Sequence, residues 1–145
     1  MTYDECIVWL NRYRDARRVE LRLRERLREE NRRADYARAL CPPGGAGEID
    51  SALLSINTRR EKLAAQLTDG EAARMEIESA IAQLEDALER EVLQMRYIDG
   101  RTNRQIAARM RITERYVRKL HRRAIFKIIK LVPPSSAQFR PSVLS

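Results

Sequence analysis

The sequence predicts an all-α fold, with long antiparallel coiled-coil helices followed by a small C-terminal helix-turn-helix domain. Three observations carry this expectation. The 145 residues include only 5 glycines and 5 prolines, and 34% of them are charged while 6% are aromatic. That balance suits long amphipathic helices with solvated faces better than a large globular core. Apolar residues recur at spacings of three and four through most of the chain, the signature of one helix face. Charge is also segregated: residues 1–95 carry 16 basic and 19 acidic side chains, whereas residues 96–130 carry 12 basic and 2 acidic.

From Thr2 to about Leu40 there is neither glycine nor proline. Cys6, Trp9, Tyr13, Ala16, Leu23, Leu27 and Ala34 form one face of a long helix, interrupted by Glu20 and Glu30. The arginines from Arg17 to Arg28 read as solvated positions paired with Glu20, Glu25 and Glu29 rather than as a second binding surface. Cys41-Pro-Pro-Gly-Gly-Ala-Gly47 cannot continue a helix, so a loop is expected over 41–48. A second stripe follows at Ile49, Leu53, Ile56, Leu63, Leu67, Ile77, Ile81, Leu84 and Leu88, broken in register by Arg60, Gly70 and Arg74. Thr68-Asp-Gly-Glu71 has the form of a capping box, which predicts a break near Gly70. Residues 1–90 thus read as a helical coiled-coil and oligomerisation region.

Residues 91–130 form the domain of chemical interest. Val92, Leu93 and Tyr97 lead to a helix stop at Asp99-Gly100. Thr102 with Gln105 makes a capping box for a short helix Asn103–Met110, whose buried side is Ile106, Ala107 and Met110. Ala107 supplies the small residue that two crossing helices need at closest approach. Arg111-Ile112 makes the turn, and Thr113 caps the next helix with Glu114 at its positive end. On that helix Val117, Leu120, Ala124, Ile125 and Ile128 should face the core, while Arg115, Arg118, Lys119, Arg122 and Arg123 lie opposite. Glu91 follows the second stripe without a visible break, so the domain is expected to be joined rigidly to the coil. The segment 131–145 lacks periodicity and is expected to be a disordered tail.

Several function classes are excluded. Cys6 and Cys41 have no metal-ligand spacing and His121 is the sole histidine. No metal, cofactor or catalytic constellation is expected, and the chain does not read as an enzyme. The cysteine usage points to a reducing cytoplasm, and no apolar run approaches a membrane span, so no membrane partner is expected. The basic block suits double-stranded DNA, because neutralising phosphates releases condensed counterions. A helix packed on one face and cationic on the other is what the major groove admits. Glu114, Arg115, Arg118 and Lys119 are then the expected base readers, with Arg122 further along the same face. Arg104, Arg109 and Thr113 are the expected phosphate contacts.

The run LQMRYIDGRTNRQIAARMRITERYVRKLHRRAI resembles region 4 of the bacterial sigma-70 factors. The resemblance rests on Arg96-Tyr97, Gly100, Ile106-Ala107, Ile112-Thr113, Val117 and Ala124-Ile125 and covers about 35 residues. It implies that the first exposed residues of the last helix read a promoter element, again Glu114, Arg115, Arg118 and Lys119. Arg111 stands where sigma-like proteins commonly carry glycine, which implies a strained or altered turn. No upstream sigma regions accompany the match, so a full-length sigma factor is excluded. A coiled-coil N-terminus with such an end is similar to phage late-transcription regulators of the ArpU and RinA kind. The resemblance implies a phage or prophage activator in the bacterial cytoplasm, associated with the nucleoid, dimeric or of higher homo-oligomeric order, and in contact with bacterial RNA polymerase. The alternative reading is a phage DNA-packaging adaptor of the small-terminase type, which would close into a ring.

Overall fold

The computed structural model describes residues 1–40 and 46–132, and among them the chain is all-α. Helix α1 spans Tyr3–Leu40, α2 Ala46–Ala82, α3 Ala87–Leu93, α4 Asn103–Met110 and α5 Glu114–Leu131. Helix α3 continues into a single π-helical turn over Gln94–Ile98. Residues 41–45 of the expected loop and residues 133–145 of the expected tail lie outside the described residues. The last part of the 41–48 loop is helical, since α2 begins at Ala46. Gly47 alone costs a helix only about 1 kcal/mol. At the other end α5 extends through Leu131, one residue into the expected tail.

The chain forms two compact units, Ala16–Gly70 and Met1–Asp15 with Glu71 onward, and α1 and α2 contribute to both. In Ala16–Gly70 the two helices run antiparallel: Gln66 donates to the Ala16 carbonyl at 3.3 Å, and Arg59 pairs with Glu30 at 2.5 Å. Glu20 and Glu30, which interrupt the apolar stripe, hold their places in it. Glu20 is buried and hydrogen-bonded by Arg17 and Arg24. Burial alone would raise its pKa, but those two guanidinium groups together hold it below the ordinary carboxylate value. The expected break near Gly70 is absent, and α2 passes through it as helix. The Thr68 hydroxyl donates back to the Ala64 carbonyl at 3.1 Å instead of capping a new helix. Gly70 is buried, and a Cβ on it would lie 3.4 Å from the Ala16 Cβ, so its small size serves the close approach of α1.

The break comes instead at residues 83–86, so α2 is not continuous with the helix that contains Glu91. Tight bonds from Gln83 N–H to Ala80 and Leu84 N–H to Ile81 end α2. Asp86 then caps α3, its Oδ1 accepting from Leu88 N–H at 2.8 Å and Glu89 N–H at 3.2 Å. Arg90 reaches back to the Leu84 and Glu85 carbonyls at 2.5 and 3.0 Å.

The other unit takes in far more chain than 91–130. One core cluster joins Cys6, Trp9 and Leu10 of α1 and Ile77, Ala80, Ile81 and Leu84 of the α2 end to Leu93, Tyr97, Ile98, Ala124, Ile125 and Ile128. A second joins Val92 and Met95 to Ile106, Ala107, Val117 and Leu120. Helix α3 and its π turn are therefore buried on two sides. The π turn, closed by Asp99 N–H to the Gln94 carbonyl at 3.1 Å, lets neighbouring residues serve different clusters. A polar rim fastens α1 to α2 in the same unit: Arg12 pairs with Glu76 at 2.7 Å, and the Arg74 guanidinium stacks over Tyr13 at 5.6 Å.

Candidate nucleic-acid interface

Helices α4 and α5 and the turn between them are built by the caps that the sequence advertises. Thr102 accepts from Gln105 N–H at 3.2 Å while the Gln105 side chain accepts from Thr102 N–H at 3.0 Å, a complete capping box. Thr113 caps α5 by accepting from Tyr116 N–H at 3.1 Å. Ile106 and Ala107 are buried on α4, as are Val117, Leu120, Ala124, Ile125 and Ile128 on α5. This local packing agrees with the sequence expectation except at Met110, which is half-buried at the edge of the cluster.

The turn keeps its glycine-like geometry without a glycine. Arg111 sits at φ 58° and ψ 44°, in the left-handed region, and Ile112 N–H bonds to the Ala107 carbonyl at 3.0 Å. A side chain there costs about 1–2 kcal/mol. The chain tolerates that cost because α4 and α5, fixed by their shared core, leave the connecting residue no other conformation.

All eight candidate residues, Arg104, Arg109, Thr113, Glu114, Arg115, Arg118, Lys119 and Arg122, are exposed. A shallow groove at the start of α5 gathers Thr113, Arg115, Arg118, Lys119 and Arg122. Tyr116 lines it too, and charge-based reading of the sequence passed over it; its place between Arg115 and Val117 at the capped end was the available signal. Arg104, Arg109 and Glu114 are not part of this lining. Arg109 lines a different hollow, together with Glu78, Glu91 and Asp99. Glu114 lies 3.9 Å from Arg118, and both are about half exposed, so this pair is worth little and yields readily to another partner. Arg122 stacks on Phe126 at 5.9 Å.

Behind the exposed face lies a polar contact that sequence reasoning missed. Tyr97 Oη and His121 Nε2 are 2.6 Å apart, joining the π turn to the middle of α5. Burial pushes Tyr97 up to about 12, and burial followed by the nearby Arg96 charge pushes His121 down to about 4. His121 is thus held neutral, and its tautomer decides which of the two groups donates. A second tie runs from Lys127 Nζ to both oxygens of the buried Glu89, at 2.9 and 2.7 Å. Cys6 is a core residue whose thiol burial raises to about 11. Among the described residues no group of His, Cys, Asp and Glu is placed to hold a metal ion, and no helix is long and apolar enough to cross a membrane.

Replacing the left-handed arginine should stabilise the fold. Arg111→Gly is expected to raise the unfolding free energy by about 0.5–1 kcal/mol, the relief of side-chain strain less the added chain entropy of glycine. Urea denaturation measures it, and a neutral or destabilising result means that the turn carries no strain.

His121 gives the fold a pH dependence of known sign. Its folded value lies below its ordinary 6.5, so the unfolded chain takes up the proton first as pH falls. The stability is complete above about pH 6.5 and is lost as pH falls toward about 4. Between pH 6.5 and 5 the loss should be about 1–2 kcal/mol. In His121→Gln that slope should flatten; equal slopes in both proteins would assign the effect to another group.

Residues 80–128 match the family model for Sigma-70, region 4. The matched segment covers about a third of the chain, from the end of α2 into α5, and is a DNA-binding helix-turn-helix. It leaves out Cys6, Trp9, Leu10 and Ile77, which complete the core beneath it. No curated protein and no solved structure matches the chain.

Proposed function

We propose that the chain is a sequence-specific transcriptional regulator, a phage or prophage activator that binds double-stranded DNA as a homo-oligomer and contacts bacterial RNA polymerase on the nucleoid. The carrying observation is that the segment matching region 4 presents the start of α5 as a cationic groove while the opposite face of that helix is buried. In this reading α5 enters the major groove. Arg115, Arg118, Lys119 and Glu114 face base edges, Thr113 and Arg104 hold phosphates, and Arg122 borders the same face. Arg109 is a phosphate contact only where the backbone also passes the hollow that it shares with Glu91 and Asp99. Polymerase contact is supported by the family match alone.

Oligomerisation is supported by the Ala16–Gly70 unit. Two helices cannot enclose a core, and this pair leaves Leu21, Tyr36, Leu40 and Leu54 exposed, at 52%, 69%, 64% and 68%. A second copy laid on this surface makes a four-helix arrangement and a coiled coil between chains.

Reading and holding separate experimentally. Arg118→Ala should cost about 1–3 kcal/mol on the selected site and flatten discrimination at one base pair. Arg104→Ala removes the same charge but should weaken all sequences alike. Binding-site selection on both variants decides it, and an unchanged motif in Arg118→Ala means that α5 is not the reader.

The assembly is tested by Leu21→Glu with Leu54→Glu. Light scattering should show dissociation, with affinity for a two-half-site duplex falling at least about tenfold and single half-site binding unchanged. A variant as oligomeric as the wild type removes this surface from the interface. A closed ring of eight or more subunits in the wild type (an order-of-magnitude expectation for ring assemblies) would favour the packaging adaptor instead.

A further inference from the structure

We propose that Arg14, on α1 and outside the matched segment, is a backbone-phosphate contact of the DNA interface, held over the turn that leads into α4. The inference rests on the DNA-binding reading above and adds to it a residue from a part of the chain that the family match does not reach.

The geometry is set at Gly100. This glycine ends the π turn at φ 72°, and a Cβ built on it would fall 2.3–2.7 Å from the guanidinium of Arg14. The arginine head is thus laid directly on the Asp99–Arg101 turn, in space that only glycine leaves open. Its helix is locked into the core by Cys6, Trp9 and Leu10. The head is positioned by the fold rather than left to wander, so its ordering cost falls before any ligand arrives.

Other arginines converge on the same few residues. Arg96 donates to Asn103 Oδ1 at 2.5 Å, which puts its guanidinium at the first turn of α4. Arg101 is half-buried with its Nε unbonded among the described residues, and Arg104 is exposed one residue after Asn103. Asp99 is the one carboxylate between Arg96 and Thr113, and it lines the hollow with Arg109. Arg14, Arg96, Arg101 and Arg104 thus lie at this turn or within a few residues of it, and such a concentration of positive charge attracts a polyanion.

The cluster is also continuous with the reading helix. Arg96 lies beside Tyr97 and His121, and His121 is one helical turn from Arg118 on α5. A cationic strip therefore runs from Arg118 past Arg96 and Asn103 to Gly100 and Arg14. In a helix-turn-helix complex the first helix crosses the sugar-phosphate backbone while the second occupies the groove. A strip that leaves α5 along α4 follows that backbone, where contacts position the protein without reading sequence.

The test uses the full chain, a duplex recovered by selection with the wild type, and a random-sequence duplex of equal length, each titrated at several salt concentrations. Arg14→Gln should make the salt dependence of log K shallower by about 0.9 per bound protomer and weaken both duplexes roughly five- to tenfold near 0.1 M salt, with the selected motif unchanged. Arg14→Lys should restore most of the slope. Arg60→Gln, which removes an exposed charge from the Ala16–Gly70 unit, should leave it unchanged. A wild-type slope in Arg14→Gln overturns the assignment, and so does a lowered melting temperature with that slope intact, which would make Arg14 a packing residue. If Arg118→Ala alters the motif while Arg14→Gln leaves the slope alone, the DNA reading stands and this inference falls. If the wild-type chain binds neither duplex, both fall together.

Discussion

The apolar face of α5 has to be covered along its whole length, and the rest of the reader unit follows from that requirement. Eighteen residues make a helix of about 27 Å, whereas the eight of α4 make about 12 Å. Helix α4 can cover only the first turns, and Val117 and Leu120 do pack in one cluster with Ile106 and Ala107. Ala124, Ile125 and Ile128 lie beyond its reach and pack in the other cluster, with Cys6, Trp9, Leu10, Ile77, Ile81 and Leu84. Helix α3 and its π turn stand between the two clusters and donate to both. The N-terminal fifteen residues are therefore structural members of the unit that carries the helix-turn-helix, although they lie far from that motif in sequence.

The polar ties follow the same division. Glu89 with Lys127 and Tyr97 with His121 fasten α3 and the π turn to α5 from its middle onward, past the turns that α4 covers. A buried carboxylate paired with one lysine is not a strong source of stability, because desolvation offsets most of the attraction. Its contribution is directional. Glu89 can be satisfied only with α5 in one rotational setting, and that setting turns Arg115, Arg118 and Lys119 outward. The neutral His121 acts in the same way, since its Nε2 meets the Tyr97 hydroxyl at 2.6 Å.

What the sequence made legible was local. The Thr102 capping box, the Thr113 cap, the stop at Gly100 and the two faces of α5 depend on residues within a few positions of one another, and these are as the pattern predicts. Fold class followed from composition and period for the same reason. Three features escaped because they are not local. The α1 contribution rests on contacts across more than a hundred residues, and its stripe looks the same whether it faces a coil partner or a folded unit. The π turn has no composition of its own, because Gln94–Ile98 is ordinary helical sequence. The break at 83–86 was signalled by Asp86-Ala-Leu-Glu89, which has the form of a capping box, but the stronger apolar stripe obscured it. At Gly70 the error ran the other way: a capping pattern was present, and a buried close approach overrode it. Of the candidate site, the exposure of all eight residues was legible, while the grouping of five of them with Tyr116 needed the structure.

The glutamates of the arm show why interruptions in an apolar stripe are informative. Glu20 and Glu30 were read as breaks, yet both keep the helical register and are paired, Glu20 by Arg17 and Arg24 on its own helix and Glu30 through Oε1 by Arg59 on the facing one. A leucine in either place would make α1 and α2 slide past one another at little cost, since apolar contacts are non-directional. The cross-helix pair favours one offset between the helices, because a slip of a single turn would leave the half-buried Glu30 without its arginine. The close approach of Gly70 to Ala16 sets the same offset independently, through shape rather than charge. Together they specify the pairing of this arm more tightly than its half-buried leucines could, and they leave the apolar surface at Leu21 and Leu54 free of any part in holding the two helices to each other.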